Sequence, residues 1–156
     1  MISISKLLDP IAPGRPCGDN LSYDPAFIDL QNKVRGKEET QFSASEDPNW
    51  KELLDLSREL TGRFKHLQVG VTLSLALLQA EGLPGFRDGL KLLHGWLEKY
   101  WDVVYPQLDP EDNNDPTERV NLLQCLSVTT SGDPYRFCER LEKVLLCDSK
   151  PWDDTT

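Results

Sequence analysis

The sequence predicts an all-α, single-domain bundle of about six helices, with the periodicity of its apolar residues as the first ground. These residues recur at three- and four-residue steps through most of the chain, and no stretch sustains strand alternation, a repeat period or a low-complexity block. The second ground is punctuation. Aspartate–proline pairs stand at Asp9-Pro10, Asp24-Pro25, Asp47-Pro48, Asp109-Pro110, Asp115-Pro116 and Asp133-Pro134. Aspartate accepts hydrogen bonds from the free N–H groups of a first helical turn, and proline is tolerated at the first helical position, so several of these pairs are expected to start helices.

Residues 1–23 are expected to form an extended N-terminal segment ahead of a helical domain over 24–147. After Asp24-Pro25, the residues Phe27, Leu30 and Val34 mark a short helix ending at Gly36. Residues 37–47 are polar and aperiodic, which predicts an exposed, mobile loop anchored by Phe42. Beyond Asp47-Pro48, the residues Trp50, Leu53, Leu54, Leu60 and Phe64 share one helical face, with Gly62 near its end. The run from Leu67 to Ala80 also alternates in part, but its length and its Leu and Ala content favour a helix, apolar on most sides and therefore central. A tight connection at Leu83-Pro84-Gly85 leads to a long amphipathic helix carrying Phe86, Leu90, Leu93, Leu97, Tyr100, Trp101 and Val104, stopped by Pro106. Asp115-Pro116-Thr117-Glu118 has the form of a capping box ahead of Val120, Leu123 and Leu126, a helix that stops near Ser127. A last helix carries Phe137, Cys138, Leu141, Val144 and Leu145, and 148–156 is a polar tail.

Composition excludes several function classes. With net charge −9 at pH 7, the chain repels phosphate backbones, so general nucleic-acid binding is disfavoured. Arg58, Arg63 and Lys65 form a small basic cluster, read as complementing the C-terminal dipole of the helix they follow. Cys17, Cys125, Cys138 and Cys147 make no C-x-x-C pair, and Cys125 and Cys138 sit among apolar residues, so they are read as reduced thiols of a cytoplasmic protein. The N-terminus lacks a signal-peptide pattern, and no segment holds roughly 18 consecutive apolar residues, so direct membrane insertion is not expected.

Catalytic and metal signatures are missing as well. His66 and His94 have no second ligand at H-E-x-x-H spacing and are read as structural. No G-x-S-x-G elbow, phosphate-binding loop or dinucleotide turn is present. The acidic run from Asp109 to Asp115 resembles a calcium loop in composition only: the sixth position is Asn114 where glycine is needed, and the twelfth is Val120 where a glutamate is needed. The chain is therefore expected to be no enzyme and to hold no metal or cofactor.

The segments singled out on physical grounds also carry a family resemblance. Residues 16–25 read Pro-Cys-Gly-Asp-Asn-Leu-Ser-Tyr-Asp-Pro, followed by Asp47-Pro48-Asn49-Trp50 and Glu81-Gly82-Leu83-Pro84-Gly85-Phe86. The series closes with Tyr100-Trp101-Asp102 leading to Pro106-Gln107-Leu108-Asp109-Pro110, then Asp115-Pro116 and Arg119-Val120-Asn121. Over about residues 8–127 this resembles the N-terminal domain of the TssA (ImpA) family of type VI secretion system assembly proteins. One departure is Lys65-His66-Leu67-Gln68, where the family pattern is Lys-Asp-Leu-Arg; any contact made by that charged pair is in doubt here. The resemblance implies an adaptor of a Gram-negative bacterium that works in tail and baseplate assembly, with partners among the baseplate, sheath, inner-tube or membrane-complex proteins. It also implies recruitment from the cytoplasm to the inner-membrane complex, and a parent whose C-terminal region, expected to be absent from this chain, forms a homo-oligomeric ring.

Physical chemistry assigns Trp50, Tyr100, Trp101, Asp102, Pro106, Asp115, Pro116, Arg119 and Asn121 mainly to folding, as aromatic packing, helix stops and caps. The partner contact is placed between Tyr105 and Asp115, on Tyr105, Gln107, Asp109, Glu111 and Asp112, where a rigid acidic loop beside aromatic residues offers a steering field and an apolar anchor. Two other readings stand beside the adaptor: a hydrolase domain, and an acidic spacer without a specific partner.

Overall fold

A single glycine organises the centre of the molecule. The computed structural model describes residues 3–37, 40–127 and 135–144, and its longest helix, α4 (Leu67–Tyr100), is interrupted at Gly82, with φ 66° and ψ −150°. That left-handed backbone is costly for any residue with a Cβ, so Gly82 lets the chain fold back and Pro84 re-enter a first helical turn. The two arms run antiparallel: Gly70 faces Leu93 and Trp96, Ser74 faces Gly89, and Leu77 faces Gly85. A Cβ on Gly89 would lie 2.5 Å from Ser74 Oγ, so this glycine sets how closely the arms approach. The two predicted helices on either side of Gly82 are thus the arms of a helical hairpin.

The remaining helices pack around this hairpin. They are α1 (Ile4–Leu8), α2 (Pro25–Val34), α3 (Trp50–Thr61), α5 (Thr117–Gln124) and α6 (Phe137–Glu142), with a 3-10 turn at Pro110–Asp112. No strand occurs among the described residues; there are only isolated bridges. Every residue from Leu67 to Leu78 is buried, including Val69, Val71, Leu73, Leu75 and Leu77, because α3, the second arm and shorter elements cover the first arm on all sides. Complete enclosure explains why an alternating pattern accompanies a helix here. By length and composition α4 is the one helix among the described residues apolar enough to cross a bilayer, and 61% of that window is buried inside the protein.

Capping follows the punctuation in part. Asp24 Oδ1 accepts from Ala26 N at 2.9 Å and starts α2, and its side chain also pairs with Arg63. At Asp47-Pro48, however, the cap of α3 is Asn49, whose Oδ1 accepts from Glu52 N at 3.2 Å. Asp9-Pro10 ends α1 and begins nothing, and Asp133-Pro134 lies outside the described residues.

Several expectations are corrected. Residues 4–8 of the expected extended segment are helical, and α1 is tied down by three donors from the core: Lys65 Nζ and Trp96 Nε1 reach Leu7 O at 2.9 and 3.0 Å, and Tyr100 Oη reaches Leu8 O at 2.7 Å. Lys65 is therefore buried, between the rings of Trp96 and Tyr100, and is not part of a surface cluster; Arg58 and Arg63 pair with Glu81, Asp24 and Glu59. Phe42 anchors nothing, being 97% exposed at the tip of a loop closed by reciprocal Lys37–Glu46 backbone bonds. The long helix ends at Tyr100 and does not reach Val104. In α5 the buried residue is Arg119, while Val120 is exposed. Cys17 and Cys125 are buried and Cys138 is half-buried; burial pushes the Cys17 thiol up to about 11. Cys147, Leu145 and the 148–156 tail lie outside the described residues.

Candidate functional site

The acidic segment after α4 is built from a turn, a staple and two caps. Val103 N and Val104 N both donate to Tyr100 O, at 3.0 and 2.7 Å, and turn the chain off the helix. Tyr105 then lies beside the start of α4: its N–H donates to Lys65 O at 3.0 Å and its carbonyl accepts from Leu67 N at 2.8 Å. A cis peptide bond joins Tyr105 to Pro106.

Arg119 is the staple. Its side chain is 1% exposed, and its guanidinium donates to three backbone carbonyls: Trp101 O at 2.5 Å, Val104 O at 2.7 Å and Pro106 O at 2.8 Å. Those are orphan carbonyls of a helix end and the turn after it, where a cation also meets the negative end of the helix dipole. The guanidinium lies 4.7 Å from the Trp101 ring centroid. Burial lowers the Arg119 pKa, opposed by the charges of Asp102 and Glu118; arginine stays charged under such shifts.

Between staple and caps the loop is short and closed. Asp109 Oδ1 accepts from Glu111 N at 2.8 Å, and Asp112 N and Asn114 N return to Asp109 O. Asn113 and Asn114 take left-handed backbone, with φ 51° and 54°, a conformation asparagine tolerates better than most residues. Asp115 Oδ1 accepts from Thr117 N at 3.0 Å and Thr117 Oγ1 at 2.6 Å, bonds that hold its carboxyl below the usual carboxylate range. The capping box is not formed as predicted: α5 starts at Thr117 with Pro116 at the N-cap position and not inside the helix, so Asp115 caps from one residue further out, and Asp115 N donates to Asp112 O, not to the Glu118 side chain.

The structure divides the predicted contact residues. Tyr105 is withdrawn: it is 9% exposed, its hydroxyl donates to Gly18 O, and its ring packs 5.9 Å from that of Phe64. Gln107, Asp109, Glu111 and Asp112 are exposed, and Glu111 and Asp112 have no ion-pair partner among the described residues. Among the signature residues, Tyr100 and Arg119 hold the fold together, while Trp101 is 41% exposed and presents an indole backed by a buried cation. Asp102 and Asn121 are exposed. Among the described residues no group of three or more His, Cys, Asp or Glu side chains is placed to hold a metal ion.

The family departure at 65–68 has a local explanation. His66 is the N-cap of α4, its Nδ1 accepting from Gln68 N at 3.1 Å, so it occupies the role an aspartate fills at such a position. Its ring packs against Phe27 and Phe64, and burial lowers its pKa from 6.5 to about 4. Gln68 Nε2 donates to Tyr135 Oη at 2.8 Å. Both positions face the interior, so neither offers a partner contact.

Sequence reasoning missed one cluster. Arg140, 8% exposed, stacks 4.6 Å from the Trp50 ring and joins α6 to the 37–47 loop through Asp47, whose carboxyl it holds below the usual range. Nothing in a helix period marks an arginine for burial; a tryptophan at the first turn of α3 was the available signal.

Comparison with known proteins agrees with this architecture. The family model described as "ImpA, N-terminal, type VI secretion system" matches residues 8–127. The chain is 42% identical over 127 residues to the type VI secretion system component TssA1 of Pseudomonas aeruginosa, covering 79% of this chain and 37% of that protein. A solved structure is also similar, with TM-score 0.67 and 29% identity, covering 81% of this chain and 47% of the other. It is the N-terminal domain, including the conserved ImpA_N region, of the TssA component of the type VI secretion system from Burkholderia cenocepacia.

Proposed function

The chain belongs to the ImpA N-terminal family of the type VI secretion system, and on that premise we propose that it is a non-enzymatic adaptor docking other secretion-system proteins through the acidic loop at 107–115. The observation that carries the reading is a loop fixed at both ends yet open to solvent between them. Arg119 and the Asp115 cap hold the ends, while Glu111 and Asp112 point no charge at an internal partner among the described residues. A preorganised loop loses little conformational freedom on binding, and its unpaired carboxylates steer a basic partner surface. Exposed Trp101, on the turn that the same arginine holds, supplies apolar area of the kind that anchors interfaces.

The partners belong among the baseplate, sheath, inner-tube or membrane-complex proteins, met on the cytoplasmic side of the inner membrane. This chain spans 37% of the length of its Pseudomonas relative, and ring formation is assigned in this proposal to the remainder of such a parent. The test is charge reversal. Glu111→Lys with Asp112→Lys touches neither cap nor staple, so the melting curve is expected to stay unchanged, exposed charges contributing little to stability. Binding to isolated tail and membrane-complex subunits is expected to fall. Undiminished binding to every subunit would remove the loop from the contact.

A further inference from the structure

We propose that the outer face of the second arm of α4 is a self-docking surface, on which a second copy of this chain lays the same face antiparallel. Leu83 and Trp101 stand eighteen residues apart, five helical turns, and so lie one above the other along the arm. Leu90 and Leu97 fall between them at seven-residue steps from Leu83, close to the same line. Leu83, Leu90 and Trp101 are 37%, 40% and 41% exposed and Leu97 is half-buried, so an apolar stripe about 27 Å long runs along one helix face. Leu83, Phe86, Arg87, Leu90, Lys91 and His94 line a shallow concavity of about 540 Å³ on this face, room for the side chains of a facing helix. The inference does not rest on the docking reading above, with which it shares only Trp101.

The flanking charges commit the face to a copy of itself. Arg87 and Glu98 are eleven residues apart, close to three turns, so both lie on one flank of the stripe, about equally far from its midpoint. Phe86 and Leu97, also eleven apart, give the other flank an apolar edge. In an antiparallel pair like flanks meet. With Leu83 against the partner's Trp101, Arg87 therefore meets the partner's Glu98, and the twofold repeats that contact as Glu98 against the partner's Arg87. A parallel pair would lay the charged flank on the apolar one and leave both charges without a partner. Arg87 is exposed; its Nε and Nη2 hold Asp88 at 2.9 Å, and Nη1 makes no bond among the described residues, so the fork can take a second carboxylate. Glu98 is exposed and pairs loosely with His94 at 3.9 Å. Lys91, near the midpoint, meets the partner's Lys91 as the like-charge contact of this register, at an exposed edge where solvent weakens the repulsion.

Pairing takes the Trp101 indole out of solvent, so paired copies withhold that anchor from the acidic-loop contact. A stripe about 27 Å by 10 Å covers less than the roughly 800 Å² per partner of a standard interface, so the pair is expected to be weak and reversible.

The experiment is sedimentation equilibrium of the chain from about 10 to 500 μM, at about 150 mM salt, where repulsion between two chains of net charge −9 is screened beyond about 8 Å. A monomer–dimer equilibrium is expected. Arg87→Glu and Glu98→Arg each set like charges together twice in the pair, and each is expected to weaken dimerisation about tenfold or more. Mixing the two variants restores opposite charges at both contacts, so a heterodimer of parental strength is expected, as is a homodimer of the Arg87→Glu/Glu98→Arg double variant. If a single variant fails to melt cooperatively, the double variant carries the test. Glu111→Lys/Asp112→Lys is expected to pair as the parent does, which separates this face from the acidic loop. A monomer at every concentration would leave the stripe to another protein and overturn the proposal; so would single variants that dimerise as the parent does, or a mixture and a double variant that recover nothing.

Discussion

Protonating His66 is expected to release the N-terminus of the central helix. Nδ1 accepts the Gln68 N–H, so it carries no proton in the folded protein, and adding one would turn the acceptor toward a donor at the positive end of a helix dipole. The ring is 7% exposed between Phe27 and Phe64, and no carboxylate contributes to its shift. Its pKa is 6.5 in the ordinary state and about 4 when folded. The unfolded chain therefore binds the proton more tightly, and stability rises with pH between those values: fully present above 6.5, lost as pH falls toward 4. Linkage over that gap amounts to about 2 kcal/mol between pH 7.5 and pH 5, and about 3 kcal/mol at the acid limit. A loss of about 2 kcal/mol is readable against the 5–15 kcal/mol of an ordinary domain. The assay is urea denaturation at both pH values, for the parent and for His66→Asn, which can cap through Oδ1 but does not titrate. All other side chains are common to both proteins, so their contributions cancel. The parent is expected to lose about 2 kcal/mol more than the variant on acidification; parallel curves would refute both the neutral cap and the burial that enforces it.

Three further outcomes test the packing. Arg119→Leu leaves Trp101 O, Val104 O and Pro106 O without their donor and is expected to cost about 3 kcal/mol or more; Arg119→Lys, lacking the planar fork, is expected to recover little of it, so a lysine variant of parental stability would remove the staple. Asp115→Ala is expected to lower stability by about 1 kcal/mol through loss of the bond from Thr117 N, read as a shifted denaturation midpoint, and an unmoved midpoint would dismiss the cap. Gly89→Ala drives a methyl against Ser74 and is expected to cost roughly 1–3 kcal/mol in thermal or urea melts, whereas unaltered stability would mean that the arms of α4 are free to separate.

Local chemistry was legible wherever neighbours in sequence are neighbours in space. The periods through Phe27, Leu30 and Val34, and through Leu53, Leu54 and Leu60, became buried helix faces because an i, i+3, i+4 pattern can be satisfied only by one side of a helix. The breaks at Gly36 and Gly82, and the caps at Asp24 and Asp115, followed from backbone preferences that act within a few residues. The same locality explains the misses. Asp47 stands before a proline as Asp24 does, but its carboxylate is drawn to Arg140, 93 positions away, and Asn49 caps in its place.

What the sequence by itself determined, then, was the helical class, most element boundaries and the family to which the chain belongs. Tertiary structure decided which polar groups go inside. Lys65, His66, Arg119 and Arg140 are each buried because a specific set of carbonyls, rings or carboxylates waits there, supplied by distant segments: Leu7 O for Lys65, the 101–106 turn for Arg119, Trp50 and Asp47 for Arg140. It likewise withdrew Tyr105 from the predicted contact and left Trp101 and Arg35 at the surface. Burying a charge is unfavourable unless its partners are preassembled, and no pattern along a single helix records whether the rest of the chain has assembled them.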